Sequence, residues 1–288
     1  MKVMRAKAPL RINFAGGGTD CEPYVSDYGS YILSAAIKMY STVVLDGFYV
    51  PKLPIEILLS EISSRSVHIL SDVPKTSGLG GSGSCFVAGI KALYPQLDKM
   101  QVAQMGLYLE QKVMKNVTGN QDHYCAAFGG LVFLISEGNK MEVNQLTVPA
   151  LLPRLLVLVY TDERHTSGSE LIQYQMSNTK ALHHQKQLAK AMRDSLADYN
   201  QFGKLLKEVW ETKKSYGPLI TTSEIDDLYQ KCLGMGAIGG CLMGAGGGGY
   251  MLFMEGPDNE GELRANLTDA GIQYSNIEID TEGVRLLE

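Results

Sequence analysis

The segment Pro74-Lys-Thr-Ser-Gly-Leu-Gly-Gly-Ser-Gly-Ser84 leads directly into an apolar stretch of helical period, Cys85-Phe-Val-Ala-Gly-Ile-Lys-Ala-Leu93. Its glycines let the backbone approach an anion closely and adopt positive φ angles. The first turn of the following helix directs free N–H groups, and roughly half a positive charge, at whatever lies in front of it. Residues 74–84 are therefore predicted to bind phosphate, and we call them the phosphate loop. The alternative is a flexible glycine turn that only starts a helix.

Two serines of the phosphate loop offer hydroxyl groups. Ser82 and Ser84 can each contact a phosphate oxygen or a hard cation such as Mg²⁺, and either can also cap the helix. The loop is not a Walker A motif, because Gly83 is followed by Ser84 instead of the Lys-Ser or Lys-Thr pair of that motif. A P-loop nucleotidase is therefore disfavoured.

Composition and charge limit the classes of partner. The 288 residues are 45% apolar, which allows a substantial core, and the length favours two domains. The net charge of −5 leaves no basic stripe, so nucleic acid is not an expected partner. Scattered cysteines without a Cys-x-x-Cys pair, and a start without an apolar signal region, predict reduced thiols in the cytoplasm. No apolar run reaches the roughly 20 residues of a membrane-spanning helix.

Hydrophobic periodicity predicts strands and helices in two domains. Strands are predicted at residues 2–8, 11–14, 40–49, 66–70, 131–135, 155–160 and 250–254. Helices are predicted at residues 84–93, 99–115, 224–233 and 262–270, with a long amphipathic helix or helix pair over 169–214 and an extended closing segment over 277–287. The proline-bounded stretch 149–153 predicts a boundary between domains 1–150 and 151–288.

Two further stretches are rich in glycine. Ala15-Gly-Gly-Gly-Thr-Asp20 follows the first predicted strands, and a run from Gly236 to Gly249 precedes the strand at 250–254. Glycine costs roughly 0.5–1 kcal/mol relative to alanine in ordered structure, so something must require bare backbone there. A ligand pressed against the later run is the favoured interpretation, and a tight hairpin with bulges is the alternative.

The three glycine-rich stretches, taken in order, resemble the motifs of the GHMP small-molecule kinases. The opening Ala8-Pro-Leu-Arg-Ile-Asn-Phe-Ala-Gly-Gly-Gly-Thr-Asp20 is similar to the first motif in the form found in the family's sugar kinases. Residues 74–84 resemble the pattern Pro-x-x-x-Gly-Leu-Gly-Ser-Ser-Ala, with Gly81 and Gly83 where serine and alanine are usual. Gly244-Ala-Gly-Gly-Gly-Gly249 resembles the third motif, so the resemblance spans the whole chain.

Shorter local matches are most similar to the D-glycero-D-manno-heptose 7-phosphate kinases within this family. They are Gly119-Asn-Gln-Asp-His-Tyr-Cys-Ala-Ala-Phe-Gly-Gly130, Tyr160-Thr-x-x-Arg164 and Trp210-Glu-x-Lys-Lys214. The resemblance implies an α/β (α+β) protein with the two-domain GHMP kinase fold, whose N-terminal domain is ribosomal protein S5 domain 2-like and whose C-terminal domain is ferredoxin-like. It also implies a sugar kinase that uses ATP and Mg²⁺ and phosphorylates the anomeric hydroxyl of heptose 7-phosphate, for the synthesis of nucleotide-activated heptose.

The same resemblance implies roles for individual residues. Asp122 would accept or orient the proton of the attacking sugar hydroxyl, and Arg11 would place a fixed positive charge near the transferred phosphoryl group. Ser82 and Glu110 would be the Mg²⁺ ligands. The implied contacts to the ATP phosphates come from Gly78, Leu79, Gly80, Gly81, Ser82, Gly83 and Ser84. The implied contacts to the sugar come from Gly17, Gly18, Thr19, Asp20, Arg164, Gly246 and Gly247.

Four of these residues also have a structural alternative. Glu110 could be an exposed helix glutamate, Asp122 a helix cap and Arg11 half of a structural ion pair. Asp20 could form an Asx-turn instead of accepting hydrogen bonds from sugar hydroxyls.

Two departures from the heptose kinase pattern bear on the substrates. Cys241 stands where those kinases usually carry a lysine, which removes a cation near the substrate and weakens recognition of a phosphorylated sugar. The stretch 41–71, which normally helps to hold the adenine, is short. The alternatives are a kinase of an unphosphorylated sugar such as fucose or galactose, or a catalytically silent relative that binds sugar or nucleotide. The expected partner is a sugar or sugar phosphate, and a homo-oligomer is compatible with these features.

Overall fold

The computed structural model describes residues 3–46, 50–138, 140–162 and 168–288, which form a mixed α/β protein with two sheets. Its ten strands are β1 (Met4–Ala15), β2 (Ser30–Asp46), β3 (Ser66–Ser71), β4 (Leu131–Glu137), β5 (Lys140–Leu146), β6 (Leu156–Asp162), β7 (Ala237–Leu242), β8 (Gly249–Glu255), β9 (Tyr274–Asn276) and β10 (Arg285–Leu287). The α-helices in the same ranges are α1 (Tyr24–Tyr28), α2 (Pro54–Ser63), α3 (Gly81–Leu93), α4 (Lys99–Tyr108), α5 (Gln121–Phe128), α6 (Gly168–Met176), α7 (Thr179–Asp194), α8 (Tyr199–Lys214), α9 (Ser223–Gly234) and α10 (Glu262–Asp269). The predicted fold class is confirmed.

Both sheets are antiparallel. The first has the order β10-β1-β2-β4-β5, with β3 also paired to β2, and the second has the order β7-β8-β6-β9. Helices α3, α4 and α5 share a core with one face of the first sheet, and α8 packs on β7. Strand β10 returns to β1, so the end of the chain completes the sheet that its beginning starts. The domain division at residues 150 and 151 stays a prediction.

Strand β1 is continuous, whereas the sequence predicted two strands separated at Pro9 and Leu10. The pairing of β1 with β2 shifts register between these two residues. A bulge of this kind turns the following side chains to the other face of the sheet. Ala6 and Ala8 therefore pack in the core with α3 and α5, while Leu10 packs in the core shared with the second sheet. The same reversal directs Arg11 towards α5, where its guanidinium group pairs with Asp122.

The predicted helical region 169–214 consists of three helices, α6, α7 and α8. Asn178 accepts a hydrogen bond from the backbone of α7, and Asp198 does the same for α8, so each caps a new helix. Helix α4 ends at Tyr108, earlier than predicted, and a π-helical turn, Leu109–Val113, continues it. Such turns are frequent at functional sites, and this one carries Glu110. Among the described helices, none is both long and apolar enough to cross a membrane.

Candidate active site

A cavity of about 800 Å³ lies between the phosphate loop, the start of α5 and the turn after β7. Its wall includes nine residues that the sequence predicted for the site, namely Arg11, Gly17, Gly18, Gly78, Gly80, Gly81, Ser82, Glu110 and Asp122. Another part of the wall comes from Leu242, the last residue of β7, and from Met243 and Gly244 in the turn that follows. Both halves of the chain therefore contribute to one site.

Arg11 and Asp122 form an ion pair in the wall of this cavity. Nε and Nη2 of Arg11 each lie 2.8 Å from Oδ1 of Asp122, and Nη1 of Arg11 donates to the carbonyl oxygen of Gly78. Arg11 is buried, while 18% of the Asp122 side chain is exposed. Asp122 also lies in the first turn of α5, where the helix dipole stabilises negative charge. The pair presents an oriented carboxylate to the cavity, with a guanidinium group behind it.

Two glycines of the phosphate loop permit the close approach of Asp122. A methyl group added at Gly83 would lie 2.6 Å from Cβ of Asp122 and 3.2 Å from the backbone nitrogen of His123. One added at Gly80 would lie 3.1 Å from the carboxyl carbon of Asp122. At Gly81, an added methyl would meet no described atom within 4 Å beyond its own helix and chain neighbours. Gly83 is thus required by the packing of α3 against α5, Gly80 is favoured by its φ of +77° together with the close Asp122 side chain, and Gly81 is not required by packing.

Ser82 and Glu110 meet at the cavity wall, as the resemblance implies. Oγ of Ser82 donates to Oε1 of Glu110, and Nε2 of His123 lies 2.9 Å from Oε2. Burial raises the pKa of Glu110, but the hydrogen bond and charge of His123, with further hydrogen bonds from Ser82 and Asn116, outweigh this and hold the pKa below its usual value. Glu110 is therefore a buried carboxylate and not the exposed helix residue of the alternative interpretation.

These two side chains fit a hard cation. A hydroxyl group and an ionised carboxylate on one wall are the oxygen donors that Mg²⁺ prefers. Within the described ranges, no three His, Cys, Asp or Glu side chains are grouped so that they could hold a metal. A cation at Ser82 and Glu110 would therefore take its remaining ligands from phosphate oxygens and water.

Thr19, Leu79 and Ser84 are among the predicted site residues that are buried outside the cavity wall. The hydroxyl group of Ser84 donates to the carbonyl oxygen of Ala8 at 2.8 Å, and the side chain of Leu79 packs in the core. The hydroxyl group of Thr19 donates to the carbonyl oxygen of Gly16 at 2.7 Å. These contacts use the protons of the two hydroxyl groups for internal hydrogen bonds, so neither proton is available to a ligand, and the ligand contacts of Ser84 and Thr19 stay predictions.

Asp20 is buried against Gly119, and its carboxyl group holds the start of α5. Oδ2 accepts a hydrogen bond of 2.9 Å from the backbone N–H of Gln121, whereas Oδ1 is buried without a hydrogen-bond partner among the described residues. Burial raises the pKa of Asp20 to about 6, although the hydrogen bond from Gln121 acts in the opposite direction. Asp20 thus supports the helix that carries Asp122, and its contact with a sugar stays a prediction.

We expect Asp20→Asn to change the pH dependence of stability. Because the pKa of Asp20 is raised in the folded state, the folded protein binds the proton more tightly, and the contribution of this carboxyl group falls as pH rises from about 4 to about 6. Asparagine keeps an acceptor for the N–H of Gln121 and has no charge to bury. The melting temperature of the variant should therefore rise by several degrees relative to the wild type between about pH 4.5 and about pH 7. Scanning fluorimetry measures this difference, and a value independent of pH would contradict the raised pKa.

The third glycine run packs against the phosphate loop. A methyl group added at Gly244 would lie 2.6 Å from Cα of Gly78, and one at Gly249 would lie 2.5 Å from the carbonyl oxygen of Ser77. The backbone N–H of Tyr250 also donates to the Ser77 carbonyl oxygen, at 2.9 Å. At Gly244 and Gly249 the packing of another stretch of backbone is enough to require bare backbone, and a ligand contact of this run stays a prediction.

Two other glycines of this run contact Ile220. A methyl group at Gly246 would lie 3.1 Å from Cα of Ile220, and the N–H of Gly247 donates to the Ile220 carbonyl oxygen at 2.8 Å. The part of this turn that lines the cavity is instead Gly244 and Ala245. Arg164, which was also predicted to contact the sugar, lies outside the described residues.

The sequence patterns missed several polar residues of the cavity wall. Among them are Gln175 of α6, Gln185 of α7 and Tyr216, which follows α8. The side chain of Tyr216 is buried, and its hydroxyl group has no hydrogen-bond partner among the described residues. No motif marks these positions, because a buried polar residue on an amphipathic helix has the same spacing as its apolar neighbours.

One end of the cavity is apolar. Leu53 and Ile55, at the start of α2, line it together with Ile69 of β3 and Val73. Side chains of this kind can remove a flat ring from water. The stretch 41–71, although short, therefore still supplies an apolar wall.

Comparison with known proteins establishes the family. The GHMP kinases N terminal domain matches residues 50–130, and the GHMP kinases C terminal domain matches residues 181–273. The first match contains the phosphate loop, Glu110 and Asp122, and the second contains the glycine run that contacts this loop. The chain belongs to the GHMP kinase family, so it is a kinase that phosphorylates hydroxyl groups of small molecules.

Individual relatives agree with this assignment. The chain is 29% identical over 338 residues to a D-glycero-alpha-D-manno-heptose 7-phosphate kinase of Campylobacter jejuni, with 99% of each chain covered. It is 27% identical over 251 residues to a mevalonate kinase of Pyrococcus abyssi, covering 81% of this chain and 73% of that protein. A crystal structure of a D-glycero-D-manno-heptose 1-phosphate kinase from Bacteriodes thetaiotaomicron has a TM-score of 0.78 and 24% identity, with 99% of each chain covered. This last similarity demonstrates the shared fold.

Proposed function

We propose that this protein transfers the γ-phosphoryl group of ATP to the anomeric hydroxyl of D-glycero-D-manno-heptose 7-phosphate. The observation that carries the proposal is the Arg11–Asp122 ion pair, which shares one cavity with the start of α3. The choice of sugar is supported by the similarity to the Campylobacter jejuni kinase along nearly the whole of both chains. We place the reaction in the cytoplasm, where ATP is available, and a homo-oligomer stays a prediction.

Asp122 would act on the attacking hydroxyl group. The sugar oxygen forms a bond to the γ-phosphorus, the bond from this phosphorus to the ADP oxygen breaks, and the hydroxyl proton passes to the carboxylate. Arg11 orients that carboxylate through Oδ1 and adds positive charge close to the transferred group. Because β1 and α5 hold the pair in place, the two side chains lose little conformational freedom when the reaction occurs.

The start of α3 would bind the phosphates of ATP. The N–H groups of Gly81, Ser82 and Gly83 lie in the first helical turn, where they have no acceptor within the helix, and the helix dipole favours an anion there. Ser82 and Glu110 would hold Mg²⁺, which neutralises phosphate charge when it is bound. The apolar end beside α2 and β3 would take the adenine.

A kinase of an unphosphorylated sugar is the second candidate. Cys241 favours it, because this residue lines the cavity where the resembling kinases carry a lysine. Burial raises the pKa of the Cys241 thiol, so the residue adds no charge. The same wall carries the neutral Gln175, Gln185 and Tyr216 together with Lys213. Such a wall suits sugar hydroxyl groups as well as it suits a phosphate.

The test is phosphoryl transfer from ATP, with Mg²⁺ present or removed by chelation, to a panel of heptose 7-phosphate, mannose, fucose, galactose and their phosphates. We expect Mg²⁺-dependent turnover of heptose 7-phosphate, with the new phosphorus signal on C1 in ³¹P NMR. Turnover of a free sugar without turnover of the 7-phosphate would replace the proposed substrate with the second candidate. Nucleotide binding without any turnover would assign the protein to the catalytically silent relatives.

A further inference from the structure

Lys213 lies in the last turn of α8, where only 8% of its surface is exposed. Its Nζ atom donates to the carbonyl oxygens of Leu242 and Gly244, at 2.5 and 2.6 Å. Hydrogen bonds from a charged donor are about twice as strong as neutral ones, and lysine is seldom this deeply buried unless such partners are present. The ammonium group therefore ties α8 to the turn that opens the third glycine motif.

This turn contacts the phosphate loop directly. A methyl group at Gly244 would lie 2.6 Å from Cα of Gly78, which leaves no space between the two backbones. The carbonyl oxygen of Gly78 accepts a hydrogen bond from Nη1 of Arg11, and the same guanidinium group holds Asp122. A continuous series of contacts thus runs from Lys213 to the Arg11–Asp122 pair.

We propose that Lys213 is a positioning residue, whose ammonium group holds the turn at residues 242–244 against the phosphate loop and thereby aligns Arg11 with Asp122. The proposal rests on the kinase function proposed above. Glycine backbone has unusual conformational freedom, so a turn of this composition depends on outside contacts to keep one shape. Without the ammonium group, two carbonyl oxygens lose a charged donor, and Gly78 is no longer pressed into place opposite Arg11.

Direct contact with the substrate is the rival role, because Lys213 also lines the cavity. The two roles predict different kinetics. Loss of a contact to a sugar phosphate would raise KM for phosphorylated acceptors and would leave unphosphorylated acceptors unaffected. Misalignment of Arg11 and Asp122 would lower kcat for every acceptor, whatever charge that acceptor carries.

The experiment compares Lys213→Met, Lys213→Arg and Lys214→Met in the full chain. Methionine keeps most of the apolar stem and removes the ammonium group, while arginine keeps charged N–H donors. Lys214 is the matched control, because it is the next residue of α8 and pairs with Glu211 at 3.0 Å. For each variant, kcat and KM are measured on every acceptor that the wild type uses, together with the calorimetric Kd for ATP and the melting temperature.

We expect Lys213→Met to lower kcat about tenfold or more on all acceptors with little change in KM, Lys214→Met to match the wild type, and Lys213→Arg to recover part of kcat. Wild-type kcat in Lys213→Met, or a loss confined to KM for phosphorylated acceptors, would overturn the positioning role. Lys213→Gln takes the place of the methionine variant if that variant does not fold.

Failure of the proposed function is distinguishable from failure of this proposal. A wild type that uses another sugar contradicts only the proposed substrate, and the same comparison is then made on that sugar. If the wild type shows no turnover, the Kd for ATP tests the positioning role of Lys213 instead. Binding weakened at least threefold in Lys213→Met but not in Lys214→Met keeps the positioning role, and equal binding overturns it.

Discussion

Asp122→Asn should reduce kcat by about 10²–10⁴-fold, because asparagine cannot take the proton of the attacking hydroxyl group. This corresponds to about 3–5.5 kcal/mol of lost transition-state stabilisation. The new side chain has nearly the same shape, and its oxygen can still accept the hydrogen bond that Arg11 now donates to Oδ1. KM for ATP should change little, because Asp122 lies on α5 and not in the phosphate loop. Steady-state kinetics on the acceptor identified by the panel measure both values.

Asp269→Asn is the matched control for this prediction. Asp269 is exposed at the end of α10, so its substitution removes the same charge away from the cavity and should leave kcat unchanged. Asp122→Asn should melt at a lower temperature than the control, since the buried guanidinium group of Arg11 loses its ionic partner. A folded Asp122→Asn protein with wild-type kcat would show that another group takes the proton.

Although the resembling kinases usually carry alanine at this position, Gly83→Ala should lower kcat about tenfold or more in this protein by displacing Asp122. The added methyl would lie 2.6 Å from Cβ of Asp122 and 3.2 Å from both the Asp122 carbonyl carbon and the His123 nitrogen. Two of these three atoms belong to the backbone, so the whole start of α5 must move away from α3. Such a shift separates the carboxylate from Nε and Nη2 of Arg11, which now hold it at 2.8 Å.

Gly81→Ala is the internal control, two residues earlier in the same helical turn. Its methyl group meets no described atom within 4 Å outside its own helix and chain neighbours, and the resembling kinases usually carry a serine at this position. Alanine also favours the helix by about 0.5–1 kcal/mol relative to glycine. This variant should keep kcat within about twofold and melt no lower than the wild type. Equal effects of the two substitutions would mean that the contact between Gly83 and Asp122 does not control the carboxylate.

Elements with strong hydrophobic periodicity were predictable from the sequence. The helix predicted at 84–93 is observed as Gly81–Leu93, and the strand predicted at 250–254 is observed as Gly249–Glu255. Both signals are local, because residue spacing alone decides which face of a helix or strand is apolar. The observed helix and strand each begin one to three residues before the predicted start, at a glycine.

Elements with a weak local signal were missed or misjudged. Helix α5 consists of small and polar residues over Gln121–Phe128, and its packing against α3 and α4 stabilises it more than any pattern of its own. The closing stretch 277–287 was predicted to be extended, yet its strand is only Arg285–Leu287. The carboxyl group of Asp280 accepts hydrogen bonds from the N–H groups of Glu282 and Gly283, which forms a turn before that strand.

The sequence predicted which residues form the candidate site, but it did not predict how their side chains are placed relative to one another. Motif resemblance identified Arg11, Ser82, Glu110 and Asp122, and all four line one cavity. They come from β1, α3, a π-helical turn and α5, so the distances between them depend on how these elements pack. The buried contact between Glu110 and His123 has no signal in the sequence, because 13 positions separate the two residues on different helices.

The motif resemblance was sufficient for the family, and residue types and their spacing were sufficient for the order of the glycine-rich stretches and for the strongest helices and strands, since all of these are properties of short segments. Only the tertiary structure decided what each glycine is for. Gly81 borders the cavity, Gly83 contacts Asp122, and Gly244 contacts the backbone of the phosphate loop. All three glycines lack a side chain, so their different roles come from the different neighbours that the fold places beside them.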